Sequence, residues 1–563
     1  MIQNLAKLKL RFQGPPMTKQ RVILDALIQR EDLEINSENP EKPGGDVPRI
    51  TLVELEHDRS MFEVLRKPDF QRETSEWSPE QIVELVKNVL DEELVPAVIV
   101  WKAASRNVFV IDGAHRLSAL IAWVNDDYGA GSISLKFYGG IDGIPKDQRA
   151  AAKVTKELIE STIGSYSDLN KFRRDGTGAT PEQIRRAKGM ATASIFAQSV
   201  RNDAEHAEAS FYRINQGGAV INDTEKEIIL ARRKPVGLAA RALLRAGTGH
   251  AYWWKCSTET KTKIVTRASE IHKILYKPEE NSDGYNSIPV AGKAFSSDAL
   301  AFLFEIIHVA NDLKREKKKN GKRQPSSANE DIPDKDPEAS GLKAVEYLEK
   351  ILDLTRTIFS KQSKSLGLHP AVYCRTATGK FQPAAYLAQI ELIKYLNRES
   401  DGFHKFTAVR QQFEEFLVEN KSYVNQIVRG LGAGIRSLPT IFEMYLLIYR
   451  GFKDNLGKEA IKNAILSDPT IGDYVAAPTT GKRDSGGEFK TAAKAAAKMR
   501  TELETAKPCP ECKARLHMLA ATLDHDNRKE DGGSAHSDNG EWMHPFCNSG
   551  VKERRLHRAT SSI

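Results

Sequence analysis

The chain is poor in cysteine, with five residues in 563. That is too few for a disulfide-stapled scaffold, and an odd number containing one C-x-x-C pair reads as metal binding before disulfides. No apolar run approaches the ~18–20 residues that a membrane-spanning helix requires, so no membrane partner is expected. The N-terminal stretch MIQNLAKLKLRFQGPP carries basic residues but neither a continuous apolar segment nor a small-residue cleavage site. No signal peptide is read there, and a cytoplasmic location is the expectation. Internal repeats are absent, and so is any acidic excess: 83 Lys and Arg against 75 Asp and Glu leave a net charge of +8. A mild positive balance suits a polyanionic partner, because neutralising phosphates drives nucleic-acid affinity.

What the chain does have is length. Single cores stop growing at roughly 250–300 residues, so several domains are predicted. Residues 1–50 mix a short basic helix with the Pro/Gly-rich ENPEKPGGDVP and read as an N-terminal extension. An α/β domain is predicted over 51–235. There ITLVELEHD alternates like a strand and its exit, and VPAVIVWKA and NVFVIDG form two short buried strands joined by a polar turn at Ser105–Asn107. Ser78 as N-cap and Pro79 at the first helical position open a helix with Ile82, Leu85, Val86 and Val89 on one face. Residues 236–476 are predicted mostly α-helical, with a solvated, mobile charged loop at 313–341. Pro, Gly, Thr and Ser then mark a linker, followed by an Ala/Lys-rich helix, over 477–500. A small module occupies 501–563. Cys256 and Cys374 stand alone and read as buried or inert.

The terminal module carries the most chemistry. CPEC supplies two thiolates, Cys509 and Cys512; farther on, HPFC supplies His544 and Cys547 at the same spacing. Two such knuckles can close a tetrahedral Cys3His zinc site. Between them, Asp524 and His525 follow an apolar residue as at a strand end, a Gly-Gly pair gives a loop, and Asn539 ends it. Asn548 follows Cys547 and is expected to open the last helix. From Cys509 to about Arg555 this order resembles the zinc-stapled HNH endonucleases of ββα-metal type. The resemblance implies His525 as general base, Asp524 and Asn548 as holders of one Mg²⁺ or Mn²⁺, and Asn539 as the residue that fixes the loop orienting the histidine. Two positions depart from the commonest pattern: the second knuckle has His544 where cysteine is usual, and the third signature residue is asparagine. His536 in the loop is a competing metal candidate, while His517 and His557 read as surface residues. A zinc ribbon without catalysis is the alternative, but it has no need of a DH pair or paired asparagines.

Three further motifs precede residue 235. PDFQRETSEWSPEQI carries Gln71, Arg72 and Trp77; IDGAHR carries Asp112, Gly113, His115 and Arg116; FYRINQGG carries Arg213 and Asn215. Each reads as a polar or Gly-containing turn opening a helix, a setting that suits phosphate binding through backbone N–H groups and Arg. Together they resemble the N-terminal family of GmrSD-type modification-dependent restriction enzymes, with its YQR-x-x-W, DGQQR and F-x-R-x-N-x-x-G segments. That resemblance implies a ParB-like α/β fold that binds a nucleoside triphosphate through Gln71, Arg72, Asp112, Gly113, His115, Arg116, Arg213 and Asn215. Ala114–His115 replaces the glutamine pair, which leaves NTP hydrolysis open.

The joint expectation is a metal-dependent DNA endonuclease of a prokaryotic anti-phage defence system, cutting modified or unmodified phage DNA under control of an N-terminal nucleotide-binding sensor. Two alternatives stand beside it: a DNA-binding regulator with a non-catalytic zinc module, and a nucleotide-gated toxin attacking host DNA. The helical middle reads as a spacer, a DNA clamp or the interface of a homodimer.

Overall fold

The computed structural model describes residues 21–33, 47–71, 74, 77–103, 105–200, 203–217, 223–276, 288–292, 294, 297–313, 336–476, 489 and 491–554. The chain divides into two units: Met1–Ile229 with Thr248–Ala251, and Leu230–Gly247 with Tyr252–Ile563. Among the described residues, no helix is long and apolar enough to cross a membrane.

The first unit is built on a mixed sheet of β1 (Gln29–Glu31), β2 (Arg49–Thr51), β3 (Leu65–Pro68), β4 (Val98–Lys102), β5 (Val108–Asp112) and β6 (Ser194–Val200), in the order β1-β3-β5-β4-β6-β2. β4 and β5 form the predicted antiparallel hairpin, closed by the Ala103 N–H on the Asn107 carbonyl at 2.9 Å, with Arg106 at φ 71°. β1, β3 and β5 run parallel, whereas β6 runs parallel to β4 and antiparallel to β2. Successive strand residues leave on opposite faces. Val108 and Val110 enter one core with Val86, Leu117 and Trp123, whereas Phe109 and Ile111 enter another with Phe70, Trp101 and Phe211. Burial on both faces explains why these strands read as continuous apolar runs.

The helix Pro79–Leu90 starts where its sequence signals put it. The Ser78 hydroxyl accepts the Gln81 N–H at 3.4 Å and the Gln81 side chain accepts the Ser78 N–H at 3.0 Å, which satisfies two N-terminal donors at once. The strand in ITLVELEHD is shorter than its alternation suggests. Glu54 accepts both the N–H and the hydroxyl of Thr51, at 2.7 and 2.6 Å, and turns the chain into a 3-10 turn at Val53–Leu55.

The N-terminal extension is a correction. Residues inside 1–50 supply β1 and β2, and Val22, Leu24, Leu27 and Ile28 belong to the first core. The Val22 and Leu24 N–H groups bond the carbonyls of Trp77 and Thr74, both at 2.8 Å. This short apolar segment was obscured by the Pro/Gly-rich stretch that follows it. The short basic helix expected near the N-terminus lies outside the described residues.

In the second unit, the expected helices appear as Ser297–Ala310, Pro337–Phe359 and Leu438–Lys453, alongside Pro383–Arg398 and Gly402–Glu419. The helix Pro337–Phe359 begins inside the stretch read as a loop: Asp336 caps it by accepting the Ala339 N–H at 2.9 Å, and Pro337 occupies its first turn. The rest of that loop, 314–335, and the linker core, 477–488, lie outside the described residues. The helix Thr491–Thr505 is docked, with Met499 packed against Ile288 and Ala371. Helices and terminal module therefore share one unit, and the boundaries placed at 476 and 501 do not separate them. Cys256 and Cys374 are buried, and burial pushes their thiols up to about 11 and about 12.

Candidate functional site

The terminal module consists of β7 (Thr522–His525) and β8 (Gly540–Met543), antiparallel, followed by a helical segment from Pro545 whose turn Cys547–Lys552 is π-helical. Cys509, Cys512, His544 and Cys547 converge, with one ligand atom of each within 4.8 Å of the others. Among the described residues this is the one group of three or more His, Cys, Asp or Glu close enough to hold a metal. The first knuckle is tightened by the Lys513 N–H on the Cys509 carbonyl at 2.9 Å, with Lys513 at φ 58°. His544 Nε2 donates to the Arg515 carbonyl at 3.1 Å, which turns Nδ1 toward Cys512 Sγ at 3.3 Å and Cys547 Sγ at 3.9 Å. Fixing the tautomer from the far nitrogen is the usual outer contact of a metal-ligating histidine. The donor set suits zinc. Crowding sets the three thiols against one another: Cys512 and then Cys547 hold the Cys509 thiol down, while Cys509 pushes the Cys512 and Cys547 thiols up. A divalent cation would let three thiolates coexist there.

Asp524 and His525 end β7, opposite Glu541 and Gly540. Asp524 Oδ2 accepts from Lys552 Nζ at 2.6 Å, and the same ammonium reaches the His525 carbonyl at 2.7 Å. The His525 ring is half-buried and makes no hydrogen bond among the described residues. Asn539 ties the loop between the strands. Its Nδ2 donates to the carbonyls of Asn527 and Ser534 at 2.9 and 2.7 Å, and its Oδ1 accepts the Asn527 N–H at 2.7 Å. Gly533 is required in that loop, because a Cβ there would lie 1.8 Å from the Asn527 carbonyl oxygen. Asn548 is one turn inside the helical segment, its N–H bonded to the His544 carbonyl at 2.9 Å, so it does not open the helix. His536 is exposed and bonds locally to Asp538. His517, read as a surface residue, is buried: it is 4% exposed, and neither ring nitrogen has a partner among the described residues. Burial pushes its pKa down to about 4. His557 lies outside the described residues.

The module sits on a buried ion pair that sequence reasoning missed. Arg410 and Glu414 are both fully buried on one helix, Nε to Oε1 at 2.7 Å. Arg410 also donates to the carbonyls of Leu366 and Gly367, and Glu414 Oε2 accepts the Arg515 N–H at 3.2 Å. Burial works against the Arg410 charge, but Glu414 outweighs it and keeps it ionised. The contact chain runs from Arg410 through Glu414 and Arg515 to His544. The i,i+4 spacing was visible, but its burial was not. Removing one member strands the other, so Glu414→Ala is expected to destabilise this unit by about 3–5 kcal/mol. Urea denaturation checks this; an unchanged midpoint would show that the pair is offset elsewhere.

In the first unit the motif segments meet at the end of β5. Asp112 closes the strand and Gly113 turns into the helix Ala114–Val124 at φ 90°; a Cβ on Gly113 would lie 2.6 Å from Val98 Cγ1. Arg116 donates to Asp112 Oδ2 at 2.8 Å and to the Ala97 carbonyl at 3.1 Å. His115 stacks on Trp77, with ring centroids 5.9 Å apart. Gln71 is buried and spends its amide on the carbonyls of Val110 and Ile111, just before Asp112. Phe70 packs on Phe211 at 5.0 Å, which brings the third segment alongside. That segment is not a turn opening a helix, because Arg213 and Asn215 lie within the helix Ala204–Gly217. Arg213 is exposed. Arg72 and the Asn215 side chain lie outside the described residues. Beneath the cluster, Lys67 is fully buried and bonds Asp25 Oδ1 at 2.6 Å and Thr74 Oγ1 at 3.0 Å. Reading residues 1–50 as an extension hid Asp25 from view.

No curated protein and no solved structure matches the chain. Residues 52–232, the stretch that holds all three motif segments, match the family model described as GmrSD restriction endonuclease, N-terminal domain.

Proposed function

We propose that the protein is a metal-dependent HNH DNA endonuclease of a restriction-like anti-phage defence system, gated by a ParB-like nucleotide-binding N-terminal domain. The match of residues 52–232 supports a restriction-like nuclease acting on DNA. One observation carries the nuclease reading: a Cys3His cluster clasps a ββα unit whose first strand ends in Asp524–His525. Zinc held by Cys509, Cys512, His544 and Cys547 staples the unit and takes no part in chemistry. The His525 imidazole removes a proton from the attacking water. The water oxygen bonds to phosphorus, the bond to the 3′-oxygen breaks, that oxygen takes a proton from solvent water, and the ends are a 5′-phosphate and a 3′-hydroxyl. Asn539 positions the loop beside His525. Asp524 and Asn548 supply the oxygen donors that a hard cation prefers, since Asp524 Oδ1 and the Asn548 side chain make no hydrogen bond among the described residues. A bound Mg²⁺ or Mn²⁺ would stabilise charge on the phosphate and the leaving oxygen. One such site cuts one strand, so a double-strand break takes two copies of the chain.

Asp112, His115 and Arg116 would bind the nucleoside triphosphate, with Arg116 presented by Asp112. Asp112→Ala and Arg116→Ala are each expected to weaken NTP binding in calorimetry while zinc content is kept. Unchanged affinity in both variants removes the nucleotide from the scheme. The whole reading is tested by incubating the full chain with Mg²⁺ or Mn²⁺ and plasmid, modified phage DNA or unmodified phage DNA, with and without NTP. Metal-dependent cleavage that responds to NTP or to modification is expected. DNA binding without cleavage under either metal would leave a regulator with a zinc docking module. Cleavage indifferent to both NTP and modification would remove the gate.

A further inference from the structure

We infer that Lys552 makes the divalent-cation site conditional on DNA, its ammonium holding the Asp524 carboxylate until a phosphate arrives to share the cation. The inference rests on the HNH reading of Asp524 given above.

Lys552 is 7% exposed, so its ammonium has few water partners. It has instead Asp524 Oδ2 at 2.6 Å and the carbonyl of His525 at 2.7 Å. A lysine is free to sample water unless a buried acceptor set holds it, and here that set is the DH pair itself. The consequence is a matter of charge. Asp524 brings one negative charge, Lys552 cancels it, and Asn548 adds none. A divalent ion on Asp524 Oδ1 therefore meets an ammonium across the same carboxylate, in a half-buried place where salt and water screen the repulsion poorly. A phosphodiester brings the missing negative charge. It can accept from Lys552 and share the cation, so cation and DNA each raise the other's affinity by one common factor. A site wired in this way stays largely metal-free without substrate.

The test reads Mn²⁺ binding rather than activity, by the electron paramagnetic resonance signal of free Mn²⁺ with the zinc-loaded full chain. Without DNA, Lys552→Met is expected to bind Mn²⁺ about tenfold more tightly than wild type, because the neighbouring positive charge is gone. Lys552→Arg, which keeps the charge, is expected to stay near wild type, and Asp524→Asn to lose the site. A DNA duplex added to the His525→Ala chain is expected to tighten Mn²⁺ binding, and to do so much less when Lys552→Met is also present. If Lys552→Met binds Mn²⁺ no more tightly than wild type while Asp524→Asn loses it, the inference is overturned and the HNH reading stands. If Asp524→Asn binds as wild type does, Asp524 is not a metal ligand and the HNH reading itself falls. Should Lys552→Met lose its zinc, the duplex experiment on His525→Ala decides: no tightening by DNA overturns the inference.

Discussion

His525→Ala is expected to lower the rate of DNA cleavage by about 10²–10⁴-fold, the usual contribution of a positioned general base. The variant is informative because the ring carries so little structure. Among the described residues it makes no hydrogen bond, and the backbone of His525 is held independently by pairing with Gly540 and by Lys552. Zinc content, thermal stability and DNA affinity are therefore expected to stay near wild type while turnover collapses. Plasmid cleavage under saturating Mg²⁺, with wild type and variant at equal zinc loading, is the measurement. Equal rates in the two would sink the assignment of His525 as base.

The second large effect is loss of the zinc staple. The module's own core is small: Cys509, Leu516, Ala521, Met543 and Cys547 are its buried members, so two of the proposed zinc ligands are also core residues. A core of that size cannot offset the entropy of ordering the module by itself, and structural zinc supplies apparent binding energies of about 10–16 kcal/mol in comparable small folds. Chelation, or Cys547→Ser, is expected to release zinc and abolish cleavage. It should also remove hydrogen-exchange protection from the paired amides of β7 and β8. Contacts made by the same segment are expected to go with it: the Phe546 N–H on the Ser365 carbonyl at 2.9 Å and the Arg554–Asp401 pair at 2.7 Å. The helices of the unit have their own buried core and are expected to keep their protection. If β7 and β8 stay protected after chelation, the cluster is not what holds the module together.

Which residues were legible follows from how local their signals are. Both knuckles, the DH pair and Asn539 could be read because ligand spacing and strand-end polarity are properties of short segments. The helix at Pro79 could be read because a capping box is complete within four residues. Arg213 and Asn215 were misplaced because a Gly-Gly pair reads as a turn signal that reaches backward, while the helix Ala204–Gly217 continues up to it. His517 was misjudged because burial by distant segments leaves no local signal: its ring packs near that of His369, centroids 5.5 Å apart.

The sequence by itself determined the donor chemistry: three thiols and an imidazole at knuckle spacing, an Asp-His pair at a strand end, a glycine turn into a helix after Asp112. These choices are covalent and local, and no packing can supply a thiolate where the chain has none. The tertiary structure alone decided which polar and charged groups face one another. Lys552 bonds Asp524 across 28 residues, Glu414 bonds the Arg515 amide across 101, and Gln71 bonds the end of β5 across 40. Pairings of this kind depend on which strands and helices come to lie side by side, and on burial that removes the water each charge would otherwise prefer. No periodicity within a segment encodes them.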